Sequence, residues 1–404
     1  MGNHRISLSV VSPPRAAAEP VPSVRLSEPM RRFRCNQKGC CCSGWDIPFR
    51  LEDFLRLHEH LPEEERPNLG RGIQLVLDAD KGSDGERVLR SLKLEGVGED
   101  RACRFLEPSG PCGVHVRHGI DALPDLCVDF PAFPLRREDS GVELWFDPVC
   151  PEVLERLDEA DVPLRLDIQD GRFGDVALDL RASHATDPTG GRVGGERIPL
   201  AALDGIRSRC IEVLADTTRP PWQTLGALVH GFRQLSAGHE GNFEVLEPPD
   251  PAPFVAFLQS AIAANGADVL ASTFVRYRRF VHAIDPAPIV DRKDVLVRHL
   301  HDWEAAMATW LAPVEEPLRP LMRRWLAHRF GTPMTVASGD LQEAADRIVH
   351  IYGASLRFAA AIGATLARPV DRAIYKVALG AAEYFYRSFR LPRDVLPWFA
   401  AAHR

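Results

Sequence analysis

The sequence lacks three features that define large classes of protein. It has no uninterrupted apolar run of the roughly 20 residues that a membrane-spanning helix needs, so we expect no membrane insertion. Its net charge is −7, and this lack of a basic excess argues against a general nucleic-acid-binding protein. The N-terminus has no charged segment followed by an apolar core, so we predict no signal peptide and a cytoplasmic location.

The overall composition is that of an ordinary globular protein. Hydrophobic residues make up 45% of the chain and charged residues 26%. With 404 residues the chain has room for two or three domains. No repeat of fixed period is visible, which argues against a solenoid.

The N-terminal half is irregular. Residues 1–28 are rich in Pro, Ala and Ser, which predicts a disordered leader. Residues 29–160 hold eight of the nine cysteines and are broken by Gly and Pro. Within them the spacing of apolar residues predicts a helix at 51–61, and alternation predicts strands near 80–100 and within 141–150.

The C-terminal half is different. Residues 161–198 combine a predicted β-hairpin, turning at Asp170-Gly171, with a Gly-rich linker. Residues 199–404 then show helical periodicity throughout, and Asp340 with Glu343 forms a predicted N-cap. The predicted fold is therefore mainly α, with an irregular N-terminal α+β cysteine-cluster metal domain followed by an all-α helical domain.

The cysteines carry most of the chemical information. The stretch RFRCNQKGCCCSGWDIPF (32–49) places four cysteines within eight positions. Neighbouring cysteines rarely bond to each other, because an ordinary trans backbone does not satisfy disulfide geometry. These thiols therefore need partners elsewhere in the chain or a metal. The cysteines of the N-terminal half are Cys35, Cys40, Cys41, Cys42, Cys103, Cys112, Cys127 and Cys150.

Three explanations of this pattern compete. Disulfides are disfavoured by the odd number of cysteines and by a reducing cytosol. Zinc would take four thiolate or imidazole ligands, with His115 and His118 as further candidates, but the paired C-x₂-C spacing of zinc fingers is missing. Four thiolates would also hold a 4Fe–4S iron–sulfur cluster, and a Cys-Pro pair such as Cys150-Pro151 is typical of such loops. The spacing favours a metal and leaves its identity open.

The motifs resemble a known family. FRCNQKGCCCSGWDIPF, CRFLEPSGPC, CVDFPAFP and the closing Cys-Pro are similar to the cysteine-cluster proteins called zinc/iron-chelating domain, or YkgJ-type. The resemblance implies metal ligands among the cysteines and leaves Cys40 as an extra thiol. The implied ligands are Cys35, Cys41, Cys42, Cys103, Cys112, Cys127 and Cys150.

Flagellin lysine-N-methylases are the members whose architecture is most similar, because they too have a long helical C-terminal half. This resemblance implies an iron–sulfur protein that transfers a methyl group from S-adenosylmethionine to lysines of a protein substrate. Val128 and Ala132 stand where the family pattern has arginines. The alternative is a non-catalytic protein with a structural zinc or iron site and a helical module that binds a partner.

Overall fold

The structure is a computed structural model of the chain. It describes residues 23–33, 42, 47–49, 51–78, 88–98, 101–108, 110–136, 142–159, 166–170, 172–173, 176–177, 192–193, 196–238, 252–263, 266–278, 281, 283–331 and 340–388.

The α-helices of these residues are α1 (Leu51–His60), α2 (Arg66–Gly72), α3 (Gly113–His118), α4 (Asp125–Asp129), α5 (Pro151–Asp158), α6 (Leu200–Ala215), α7 (Pro221–Ser236), α8 (Ala252–Ala263), α9 (Ala267–Tyr277), α10 (Ala287–Val290), α11 (Lys293–His301), α12 (Trp303–Ala306), α13 (Glu315–Gly331), α14 (Leu341–Leu366) and α15 (Arg372–Ser388). The strands are β1 (Ser23–Ser27), β2 (Ile47–Phe49), β3 (Ile73–Asp78), β4 (Val88–Leu94), β5 (Ala132–Arg136), β6 (Val142–Phe146), β7 (Leu166–Asp170), β8 (Arg172–Phe173), β9 (Val176–Ala177), β10 (Arg192–Val193) and β11 (Glu196–Arg197).

The protein is mainly α-helical, as predicted, and helix α14 lies at the centre of its C-terminal half. The side chain of Asp340 accepts a hydrogen bond from the amide of Gln342 at 2.8 Å, which confirms the predicted N-cap. Helices α7, α8, α11 and α15 all pack against α14. This helix is long and apolar enough to cross a membrane, but its apolar stretch is buried inside the protein. The bent pair α8 and α9 passes the same test only when the two helices are counted together.

The four-stranded sheet of the described residues has the order β5-β6-β1-β7, and it corrects one prediction. Strand β1 falls within the stretch 1–28 that composition assigned to a disordered leader. Two neighbouring strands hold β1 in the sheet, since it pairs in parallel with β6 and antiparallel with β7. Residues 1–22 lie outside the described residues.

The hairpin predicted to turn at Asp170-Gly171 involves Gly171, which lies outside the described residues, so this turn stays a prediction. Strand β7 pairs with β1 over five residues, and β8 pairs with β9.

Three other local predictions are confirmed. The helix expected at 51–61 is α1, and the two expected strands are β4 and β6. Strand β4 is the centre of a three-stranded antiparallel sheet of order β2-β4-β3.

The buried side chains form two hydrophobic clusters. The smaller cluster is built from β2, β4, α1 to α3 and the loops between them. The larger cluster contains the helices after residue 199, and it also contains Met30, Phe33 and the segment from Leu144 to Leu157. The break in packing therefore does not fall at residue 160, where the sequence placed a domain boundary, since α5 belongs to the core of the helical half.

Candidate metal centre

Three cysteines meet in the smaller cluster. The carbonyl of Cys42 accepts a hydrogen bond from the amide of Cys103 at 2.5 Å, and the thiol of Cys42 hydrogen-bonds the sulfur of Cys112. The chain between Cys103 and Cys112 turns back on itself at Gly110, whose φ of +108° favours glycine. An isolated bridge between Leu106 and Cys112 closes this loop. Cys42 and Cys112, which are 70 residues apart in the sequence, are therefore in contact through their side chains.

Cys112 is poised to lose its proton. The pKa of its thiol is lowered to about 6, chiefly by the hydrogen bond with Cys42. Burial opposes this effect, while the backbone N–H groups of His115 and Val114 and the charge of Arg117 add to it. The thiolate is the form of cysteine that binds metals, so this lowered pKa favours the ligating form of Cys112.

Cys127 and Cys150 flank the same end of the β5–β6 ladder. Cys127 lies in α4 just before β5, and Cys150 follows shortly after β6. The two connections are tied together, because the amide of Asp147 donates to the carbonyl of Pro131 at 2.9 Å. Cys127 packs against the smaller cluster, whereas Cys150 is buried in the larger one.

Not all of the predicted ligands can be placed. Cys35, Cys40 and Cys41 lie outside the described residues. No disulfide joins any two of the six cysteines that the structure describes. Within the same part of the chain, no group of three or more His, Cys, Asp or Glu side chains is arranged to hold a metal ion. The Nε2 atom of His118 lies 3.7 Å from a carboxylate oxygen of Glu65 rather than beside a thiol.

A buried ion cluster lies beside Cys127. One guanidinium nitrogen of Arg56 lies 2.5 Å from Asp53 and 2.7 Å from Asp125, and both carboxylates are nearly fully buried. Sequence reasoning did not predict this cluster. Asp53 lies on the apolar face of α1, four residues before buried Leu57, and a charge at such a position could have revealed the cluster.

A cleft of about 430 Å³ opens beside the cysteines. Arg117 bridges its two acidic residues, with contacts of 3.0 and 3.1 Å to the carboxylate of Glu65 and a further contact to Glu107. Gly113 leaves room for this bridge, since a Cβ atom there would collide with Glu107 and Arg117. Arg117 thus pairs with both carboxylates that line the cleft, and its charge also acts on Cys112.

No protein-family model, curated protein or solved structure matches this chain. The chemistry of the site therefore has to be inferred from its own residues. Buried Cys42 and half-buried Cys112 form a pair of thiols, and Cys103 and Cys127 lie in or against the same cluster. This donor set fits a thiophilic metal such as zinc or iron.

Proposed function

We propose that the N-terminal third of the protein binds a metal through cysteine thiolates, as an iron–sulfur cluster. The contact between Cys42 and Cys112, which favours a thiolate inside a hydrophobic cluster, is the observation that carries this proposal. A buried thiolate is costly unless a cation compensates its charge. The ligands would come from Cys35, Cys41, Cys42, Cys103, Cys112, Cys127 and Cys150.

The size of the smaller cluster supports the same proposal. Among the side chains that the structure describes, its buried residues are nine aliphatic residues, one phenylalanine and two cysteines, Cys42 and Cys103. A small, loop-rich region with little apolar burial usually needs a metal or disulfides to fold. We therefore propose an irregular α+β cysteine-cluster domain, stabilised by its metal, followed by the helical half.

The proposal is tested by purifying the full chain without oxygen and measuring its iron, acid-labile sulfide and zinc. We expect iron and sulfide, together with a broad visible absorption band from thiolate-to-iron charge transfer. The double variant Cys42→Ser, Cys112→Ser should lose the metal. Cys210→Ser is the matched control, because Cys210 is fully buried in α6 and far from the cluster in the packing. Unchanged metal content in the double variant would refute the assignment.

A structural zinc site with a helical binding module is the second candidate. The packing of the Cys150 segment into the larger core favours it, because such packing ties the metal to the shape of the helical half. A colourless protein that holds zinc in unit stoichiometry would support this candidate over the first.

The methyl transfer that the resemblance implies forms a separate part of the proposal. S-adenosylmethionine would supply the methyl group, and lysines of a protein substrate would receive it. Calorimetric titration of S-adenosylmethionine into the metal-loaded protein tests the first step, and transfer of a labelled methyl group to flagellin tests the second. If the metal-loaded protein neither binds S-adenosylmethionine nor transfers a methyl group, the methyl-transfer proposal fails and only a structural role of the metal remains.

A further inference from the structure

The turn that precedes Cys150 is held from the helical half by a buried tyrosine. The hydroxyl of Tyr277, at the end of α9, donates a hydrogen bond to the carbonyl of Val149 at 3.3 Å. Gly380 in α15 makes this reach possible, since any side chain at that position would collide with the Tyr277 hydroxyl. The contact therefore depends on two helices that lie more than 100 residues further along the chain.

Other hydrogen bonds fix the same turn. The amide of Val149 donates to the carboxylate of Asp147 at 3.0 Å, and the amide of Cys150 donates to the carbonyl of Asp147 at 3.0 Å. A ring nitrogen of His328 lies 2.7 Å from the carbonyl of Phe146, just before the turn. The turn is thus fixed at its start by α13 and at its end by α9.

Helix α5, which begins directly after Cys150, is also anchored. The Nζ atom of Lys376 lies 2.6 Å from a carboxylate oxygen of Glu155 and 3.3 Å from one of Asp158. The guanidinium of Arg324 contacts the carbonyls of Leu157 and Asp158. Cys150 therefore has little freedom to shift along either neighbouring segment.

We propose that Tyr277 is a positioning residue for Cys150, and that the helical half presents this thiolate to the metal in one fixed orientation. The inference rests on the proposed function, because it takes Cys150 to be a ligand. Groups that hydrogen-bond around the ligands of a metal commonly change metal affinity roughly 10- to 100-fold when they are removed. Removal of the Tyr277 hydroxyl should therefore lower the affinity for the metal.

Tyr375 provides a matched comparison within the same core. Its hydroxyl is also fully buried, and it lies 3.2 Å from the hydroxyl of Ser355 in α14. Phenylalanine at either position removes one buried hydroxyl and keeps the aromatic ring. The two substitutions should therefore weaken folding similarly, but only the change at Tyr277 touches the turn before Cys150.

The experiment compares Tyr277→Phe, Tyr375→Phe and Cys150→Ser in the full-length metal-loaded protein. The readouts are the rate of metal release to a chelator and the visible absorption spectrum, with denaturant unfolding recorded alongside. We expect Tyr277→Phe to release metal roughly 10-fold faster or more and to change the spectrum. Tyr375→Phe should match the wild type in both, and Cys150→Ser should lose the metal.

The outcomes separate this inference from the proposed function. If Cys150→Ser loses the metal while Tyr277→Phe and Tyr375→Phe behave alike, the positioning role is overturned and the metal assignment survives. If Cys150→Ser keeps a normal metal site, Cys150 is not a ligand and the inference fails with it. A wild-type protein without metal would overturn both.

Discussion

The two hydrophobic clusters of this protein are stabilised in different ways. In the larger one, α14 is surrounded by other helices, and large side chains such as Trp325 and Phe358 are completely buried. The smaller one relies on short elements, on loops and on cysteines that fill core positions. Among the described residues, the larger cluster buries many more apolar side chains than the smaller one. On the proposed function, a metal would add to the stability of the smaller cluster.

Residues 143–158 follow the smaller cluster in sequence but pack with the larger one. This segment contains the end of β6, the turn before Cys150 and α5, and its side chains face the core of the helical half. Arg207 of α6 binds the carboxylate of Glu143 and the carbonyl of Gly331, and all three groups are buried. The predictions below probe how separate the two regions are.

Metal removal should have the largest effect and should be confined to one region. If the proposed function is right, a chelator that removes the metal would unfold the region around the smaller cluster. The amides of α1, α3 and α4 should then lose protection from hydrogen exchange. Helices α13 to α15 should keep most of theirs. Hydrogen exchange measured by mass spectrometry distinguishes this result from a uniform loss of protection, which would contradict the division into two clusters.

Breaking a buried ion pair of the larger region should come next. Glu143→Gln removes the buried one of the two carboxylates that pair with Arg207, the other being that of Asp204, and it should cost about 3 kcal/mol of unfolding free energy. Urea unfolding measures this loss. Glu212→Gln is the control, because its pair with Arg209 is exposed and should be worth less than about 1 kcal/mol. Equal effects of the two variants would show that burial does not make the pair of Glu143 with Arg207 stronger than an exposed one.

Acidification should weaken the larger cluster through His328. Burial lowers the pKa of this side chain to about 4, compared with 6.5 for an ordinary histidine. Because the unfolded chain takes up the proton first, stability is complete above pH 6.5 and falls as the pH approaches 4, by about 3 kcal/mol. The His328→Gln variant should lose less stability than the wild type between pH 7 and pH 4.5.

His301→Gln is the control for that experiment, because this side chain lies exposed at the end of α11. Its pH dependence should follow the wild type. If His328→Gln also follows the wild type, His328 is not the group that titrates.

The smallest effect should come from the cap of α14. Asp340→Ala removes the side chain that accepts from the amide of Gln342, and it should cost about 1 kcal/mol. Asp340→Asn should keep most of the stability, since asparagine caps helices about as well. Thermal or urea unfolding compares the two variants, and the same loss in both would argue that charge rather than capping matters there.

Local patterns in the sequence predicted much of this fold. The helix at 51–61, the strands β4 and β6 and the cap at Asp340 all follow from residues within a few positions of each other.

Features that depend on distant partners were not predicted. Strand β1 pairs with β6 and β7, which are more than 110 residues away, and no local signal marks this choice. The sequence indicated that the thiols need partners, and the structure shows that Cys42 meets Cys112. The sequence did not indicate that α5 packs with the helical half, because an apolar helix face can pack against any neighbouring core.

The position of β1 has a consequence for synthesis of the chain. This strand precedes both of its partners by more than 110 residues, so it leaves the ribosome well before Leu166–Asp170 can complete the sheet around it. Contacts between such distant residues form slowly, since a long loop must close first. An unpaired strand edge is also a hazard for aggregation during that interval. Nascent chains that end before β7 should consequently depend most on a chaperone.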